Sequence, residues 1–156
     1  MSLFSDWDLS DNFGDLDYAN LEYPYVRKFD KALPEAIRIE YEEAKKVFKI
    51  SPIVFAILAR RVMEMICADQ SAEGSNLKAK IEDLAKKDVI PKSLARMAGA
   101  IRYLGNIGAH SEAKIISNEE VQILNDFMVA IIEYVYTAPA KLEELAEKIK
   151  SKQEKR

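Results

Sequence analysis

Arg102, Asn106 and His110 stand four residues apart in the stretch Ile101-Arg102-Tyr103-Leu104-Gly105-Asn106-Ile107-Gly108-Ala109-His110-Ser111. On a continuous helix that spacing places all three side chains on one stripe. Their types suit phosphate chemistry. An imidazole titrates near neutrality and so serves as general acid or base, while a guanidinium forks onto phosphate oxygens. Cleaving RNA without a metal needs a base for the 2′-hydroxyl, an acid for the leaving oxygen and a cation for the charge growing on phosphorus. His110 is the only histidine of the chain, and one imidazole cannot be acid and base in the same step. The chemistry therefore requires a two-fold homodimer that brings two copies of the stretch together across one cleft. The same residues admit a purely structural role. Arg102 then pairs with Glu64 or another acid, Asn106 caps a helix end and His110 bonds a loop carbonyl, while Gly105 and Gly108 allow a tight turn or a close helix approach.

Two further groups bear on this stretch. Arg60, Arg61 and Glu64 are spaced for ion pairs within or between helices, and would support Arg102 if a site forms there. From Lys78 to Arg102 seven basic residues face three acids. Lys86, Lys87 and Arg96 are the candidates in it for nucleic-acid contact, against the alternative of two solvated amphipathic faces. Other chemistries find no foothold. Cys67 is the only cysteine, so no intrachain disulfide can form, and with His110 it falls short of a four-ligand zinc site. No metal or cofactor is expected. There is no glycine-rich phosphate loop, nucleophile elbow, zinc-binding H-E-x-x-H or calcium loop. Cys67 follows apolar Ile66 inside a helical pattern and reads as a core residue. Glu42-Glu43 and Glu119-Glu120 are adjacent and point apart on a helix, as surface or capping groups do.

The elements that must position these residues are helices. The spacing predicts a first helix from Pro34, with Ile37, Tyr41, Ala44 and Phe48 inward. Ser51-Pro52 caps and starts a second, running to about Gln70 with a core stripe of Phe55, Leu58, Val62, Met65 and Ile66. A loop around Gly74 precedes a third, with Leu77, Ile81 and Leu84 inward. After Val89-Ile90-Pro91, Ser93 is the expected cap of a fourth carrying Leu94, Met97, Ala98, Ile101 and Leu104, which ends at Gly105 or bends through it. Ser117 and Glu120 form a capping box for a fifth, so apolar that it should sit at the centre of the bundle. Thr137-Ala138-Pro139 stops or kinks it. A last, Lys-rich helix carries Leu142, Leu145 and Ile149 as a narrow stripe, the mark of a pendant arm or a coiled-coil-like contact. No strand pattern competes. The expected fold is all-α: an antiparallel bundle of four to five helices at 33–140, with an accessory C-terminal helix at 141–156.

Residues 1–32 stand apart. Up to Glu22 they hold six acids and no basic residue, with Phe4, Trp7, Phe13, Tyr18, Tyr23 and Tyr25 among or just after them and no lasting period. Such a segment is disordered in part, docks onto the bundle, or holds a protein partner. It also lacks the basic and apolar regions of a signal peptide. The longest apolar run, Ile53 to Ala59, is far below the ~20 residues that span a bilayer. A chain of 156 residues, 49% of them apolar, with a net charge of −3, is expected to be one cytoplasmic domain with no membrane partner.

Three blocks give the chain a family look: Leu33-Pro34 with Tyr41-Glu42-Glu43-Ala44; Leu58-Ala59-Arg60-Arg61-Val62-Met63-Glu64-Met65-Ile66-Cys67; and Ile101 to His110. By these it resembles domain-of-unknown-function family 4145, a bacterial helical domain found alone and appended to restriction-type enzymes. That family in turn looks like a relative of the HEPN superfamily, which implies a helical domain of a defence, toxin or restriction-associated system. Many HEPN proteins are metal-independent ribonucleases with an arginine, often a polar residue, then four to six residues and a histidine. Arg102 and His110 occupy the two ends of that motif, with seven residues between them and Tyr103 following the arginine. A HEPN-like fold without the chemistry, acting as a protein-interaction module, is the alternative.

Overall fold

The computed structural model describes residues 32–99 and 116–155. Over these the chain is all-α, with no strand among the described residues. Helix α1 (Glu35–Val47) starts one residue after Pro34, which is its N-cap, and carries Glu35 in its first turn and Lys45 and Lys46 in its last. Both charges oppose the helix dipole favourably. Its face of Ile37, Tyr41 and Ala44 is buried, and Phe48, the next member of the stripe, meets Phe55 edge to face at 4.8 Å. Ser51 then caps α2 (Pro52–Asp69), its hydroxyl accepting from the Val54 N–H at 3.4 Å. The turn at 48–51 is short, so α1 and α2 form a helical hairpin. Arg61 fastens it across the interface by an ion pair to Glu40 at 3.0 Å.

Among the described residues helix α2 is the hub of the bundle, and the fifth helix is extensively buried as expected. It packs on α1, on α3 (Leu77–Lys86) and on α5 (Asn118–Ile132). Its buried arc also differs from the expected stripe. Phe55, Val62 and Ile66 are buried, but Ala59, Met63 and Cys67 are fully enclosed while Leu58 and Met65 are only partly covered. A helix covered from several sides buries a wide arc, and the small side chains Ala56 and Ala59 let neighbours approach where Leu58 could not. Each large side chain enclosed in this way contributes roughly 1.5–3 kcal/mol by leaving water.

Both helices flanking the loop around Gly74 are closed by local hydrogen bonding. At the end of α2, Ser71 takes a left-handed φ of 52°. The Ser71 and Ala72 N–H groups then donate to the Ala68 and Cys67 carbonyls at 3.1 and 2.8 Å. The end of α3 repeats the arrangement: Asp88 has φ 57°, and the Asp88 and Val89 N–H groups reach the Ala85 and Leu84 carbonyls at 3.2 and 2.9 Å. These are the paired bonds of a Schellman motif, which turns the chain sharply at a helix end. Gly74 is needed for its lack of a side chain. A Cβ there would lie 2.8 Å from the Ala79 Cβ and 2.8 Å from the Lys80 nitrogen.

The fourth element departs from expectation. Helix α4 is one turn, Lys92–Ala95, with Pro91 at its N-cap and no capping bond from Ser93. A fixed φ and no N–H to satisfy make proline the better start here. Ala95 and Ala98 turn inward and Met97 lies exposed. Residues 96 and 97 interrupt the helix before 98 and 99 resume it.

Helix α5 opens on the expected capping box. The Glu120 N–H donates to Ser117 Oγ at 3.1 Å, and the Ser117 N–H to Glu120 Oε2 at 2.9 Å. Pro139 does not stop the helix. The chain widens into a π-helical turn at Glu133–Thr137 and continues as α6 (Ala138–Glu154). Proline has no N–H to return to the preceding turn, and one inserted residue absorbs the mismatch. Within that turn the Tyr136 hydroxyl donates to Asp69 Oδ2 at 2.6 Å, tying the turn to the C-terminal end of α2. Burial first, and that bond second, push the Tyr136 hydroxyl pKa well above its ordinary value. None of the residues of α6 is buried. No described helix is long and apolar enough to cross a membrane.

Candidate nucleic-acid interface

The site is built by α3, α4 and the turn between them. Asn76 caps α3, accepting from the Ala79 N–H at 2.9 Å, and Leu77, Ile81 and Leu84 anchor the helix to the core. That commits the opposite face, with Glu82 and Lys86, to solvent. The turn at Asp88 and buried Ile90 then bring α4 back against α3. Lys92 and Arg96 are four apart and so share a face of α4. The result is a groove of about 370 Å³ lined by Glu82, Ala85 and Lys86 from α3 and Lys92, Ala95 and Arg96 from α4.

Charge is unbalanced there. Glu82 leans towards Lys78, at 3.9 Å. No ion pair engages Lys86, Lys92 or Arg96 among the described residues. Lys86, Lys92 and Arg96 are exposed around a floor that includes Ala85 and Ala95. Cations at such spacing are of the kind that contact phosphates rather than base edges.

Lys87 has a different task. Its ammonium pairs with Asp83 at 2.7 Å and donates to the Ser71 carbonyl at 3.1 Å, clamping α3 to the end of α2. Asp83 also accepts from the Glu73 N–H at 2.8 Å. That bond first, and Lys87 second, hold its carboxyl below the usual carboxylate range. Of the three cations singled out in the sequence, Lys86 and Arg96 therefore line the groove and Lys87 does not. Lys92 takes the third place. Its spacing from Arg96 was a legible signal, but the fold-back at Asp88 that makes a groove of it was not.

Arg60, Arg61 and Glu64 lie on α2. Arg60 pairs with Glu64 at 3.3 Å on the same helix, and Arg61 reaches Glu40 of α1. Arg102, Asn106 and His110 lie outside the described residues. Cys67 is buried, and burial pushes its thiol up to about 11, which leaves it protonated and inert at neutral pH. Among the described residues no group of three His, Cys, Asp or Glu side chains could hold a metal ion.

A family model described as Domain of unknown function (DUF4145) matches residues 42–152. The chain belongs to this family. The matched span runs from α1 through the groove and the Arg102–His110 block into α6, so the exposed last helix is part of the family's domain. No curated protein and no solved structure matches the chain at a significant level.

Proposed function

We propose that the chain is an RNA-directed helical domain, related to HEPN domains, of a bacterial defence, toxin or restriction-associated system. It holds a phosphate backbone along the α3–α4 groove and, as a homodimer, presents it to Arg102, Asn106 and His110 for cleavage without a metal. The observation that carries this reading is the convergence of Lys86, Lys92 and Arg96, free of ion pairs with the described residues, on one groove. The Arg102–His110 block follows α4 in the chain. In the reaction Arg102 neutralises charge growing on the phosphoryl oxygens, one His110 takes the 2′-hydroxyl proton, and the partner copy's His110 protonates the leaving oxygen. Asn106, on the same stripe by spacing, orients the phosphate.

The test is an RNA cleavage assay in EDTA with wild type and His110→Ala. Losing one acid–base group lowers the rate about 10²- to 10⁴-fold. Equal background cleavage by both proteins removes the catalytic part. Binding without cleavage leaves an RNA-holding domain, and absence of binding at low salt removes the RNA reading altogether.

A second reading, a non-catalytic protein-interaction module, is favoured by one observation. Ile50, Ile53, Val54 and Ile57 form an exposed apolar patch at the start of α2, with Ile50 81% exposed. Patches of this kind mark contact surfaces. Retention of a protein partner that is lost with Ile53→Asp, together with indifference to RNA, would establish it.

A further inference from the structure

Around the turn from α1 to α2 the surface is apolar at its centre and basic at its edge. Ile53, Val54 and Ile57 share one face of α2 and keep 40%, 40% and 42% of their surface exposed, with Ile50 beside them in the turn. Five basic residues, Lys45, Lys46, Lys49, Arg60 and Arg61, stand between Glu43 and Glu64 in the chain, and no acid does. Lys46 pairs with Glu43, Arg60 with Glu64 and Arg61 with Glu40. Exposed pairs of this kind contribute little and leave their cations open to further contacts. Helix α2 also has no acid in its first turn, so the positive end of its dipole adds to the field over the patch. The occupant that fits is both acidic and apolar.

Residues 1–22 have that composition. Their six acids, with no basic residue among them, are interleaved with Phe4, Trp7, Phe13 and Tyr18. Reach follows from chain length. The chain enters α1 at buried Leu33, and the 13 residues of α1 rise about 20 Å to the turn. Residues 23–31, drawn out, cover about 30 Å, so everything before them reaches the patch. Such a tether sets an effective concentration on the order of 1 mM. A contact that holds separate molecules with a Kd of about 0.1 mM is then about ten parts closed to one open. The patch of a second copy fits worse, because it brings the same five cations with it.

We propose that residues 1–22 fold back over the α1–α2 turn and cover Ile50, Ile53, Val54 and Ile57, with their acids against Lys45, Lys46 and Lys49. The patch that favours a protein-interaction module thereby has its occupant within the chain. The inference involves neither RNA nor a dimer and stands apart from the ribonuclease reading.

Trp7 is the only tryptophan, so its fluorescence reports on the segment in the full chain without a label. The expected result is acrylamide quenching about five- to tenfold weaker than in the denatured chain, unchanged between low and high micromolar protein. Ile53→Asp combined with Ile57→Asp should restore the quenching of the denatured chain. Both side chains are exposed, so circular dichroism of this variant should show the parent's helical content. Position is read by energy transfer. Cys67 is buried, so an acceptor attached through Glu43→Cys, one turn before Lys46, labels a single site. Transfer from Trp7 should be strong in that chain and lost when the two isoleucines are also replaced. Trp7 as quenchable in the parent as in the denatured chain overturns the proposal and leaves the patch to a separate protein. Trp7 protected yet indifferent to the isoleucine variant overturns it too, and assigns the segment to another basic surface such as α6. Protection that grows with protein concentration transfers the contact to a second copy and overturns docking within one chain.

Discussion

Neutralising the groove should change how RNA binding responds to salt, and by an amount that the structure sets. Lys86, Lys92 and Arg96 line one channel and hold no ion pair with the described residues, so each is available to replace a counterion on the backbone. Each such contact to a single strand contributes about 0.7 to the slope of log affinity against log salt. Three give a slope of about −2, so a fourfold rise in salt weakens binding roughly 16- to 20-fold. The assay is fluorescence anisotropy of a labelled single-stranded oligoribonucleotide titrated across salt. Lys86→Gln, Lys92→Gln and Arg96→Gln should each flatten the slope by about 0.7, and the triple variant should lose the groove's whole share. These residues sit at the surface, where such replacements usually stay within about 0.5 kcal/mol of the parent in stability. Lys87→Gln is the control. Its ammonium is occupied by Asp83 and the Ser71 carbonyl, so it should leave the slope almost unchanged. If Lys87→Gln flattens the slope as much as Lys92→Gln, or the triple variant keeps the parent's slope, the assignment of this groove is refuted.

Other expectations follow from the packing. Tyr136→Phe removes the bond to Asp69 at the end of α2, and chemical denaturation should show a loss of about 1.5–3 kcal/mol. Gly74→Ala drives a methyl into Ala79 and Lys80 and should lose about 1–3 kcal/mol by the same measurement. Asp88→Gly relieves a left-handed residue at the end of α3 and should gain roughly 0.5–1 kcal/mol, seen as a Tm about 1–4 °C higher. Burial pushes the Tyr41 hydroxyl up to about 12 from 10.0. Its protonated form is therefore favoured by folding: the contribution is complete below pH 10 and is lost as pH rises towards 12. Unfolding midpoints measured across that window should fall for the parent and fall less for Tyr41→Phe.

Much of the fold is written locally. Ser51-Pro52 and the Ser117–Glu120 box announce their helices because a cap is satisfied within three or four residues. Leu77, Ile81 and Leu84 are legible because α3 buries one face and wets the other. Helix α2 is apolar on most sides, so period alone could not choose between Leu58 and Ala59. The choice belongs to α1, α3 and α5, which cover it. The π turn is another case. Pro139 signals a disturbance, but the form it takes involves Tyr136 and Asp69, 67 residues apart. The groove divides in the same way. Lys86 and Arg96 could be named from the charge run, whereas Lys92 enters, and Lys87 leaves, only through the turn at Asp88. Arg102, Asn106 and His110, the residues whose types first suggested phosphate chemistry, lie outside the described residues, so their part rests on spacing and family resemblance.

Cross-linking a photoreactive single-stranded RNA to the full chain, followed by peptide mapping, tests the central claim most directly. The account predicts adducts on the α3–α4 peptides that carry Lys86, Lys92 and Arg96, and on the Arg102–His110 peptide, all suppressed together by the triple groove variant. Adducts confined to other surfaces, such as the lysines of α6, or adducts that the triple variant leaves untouched, would contradict it.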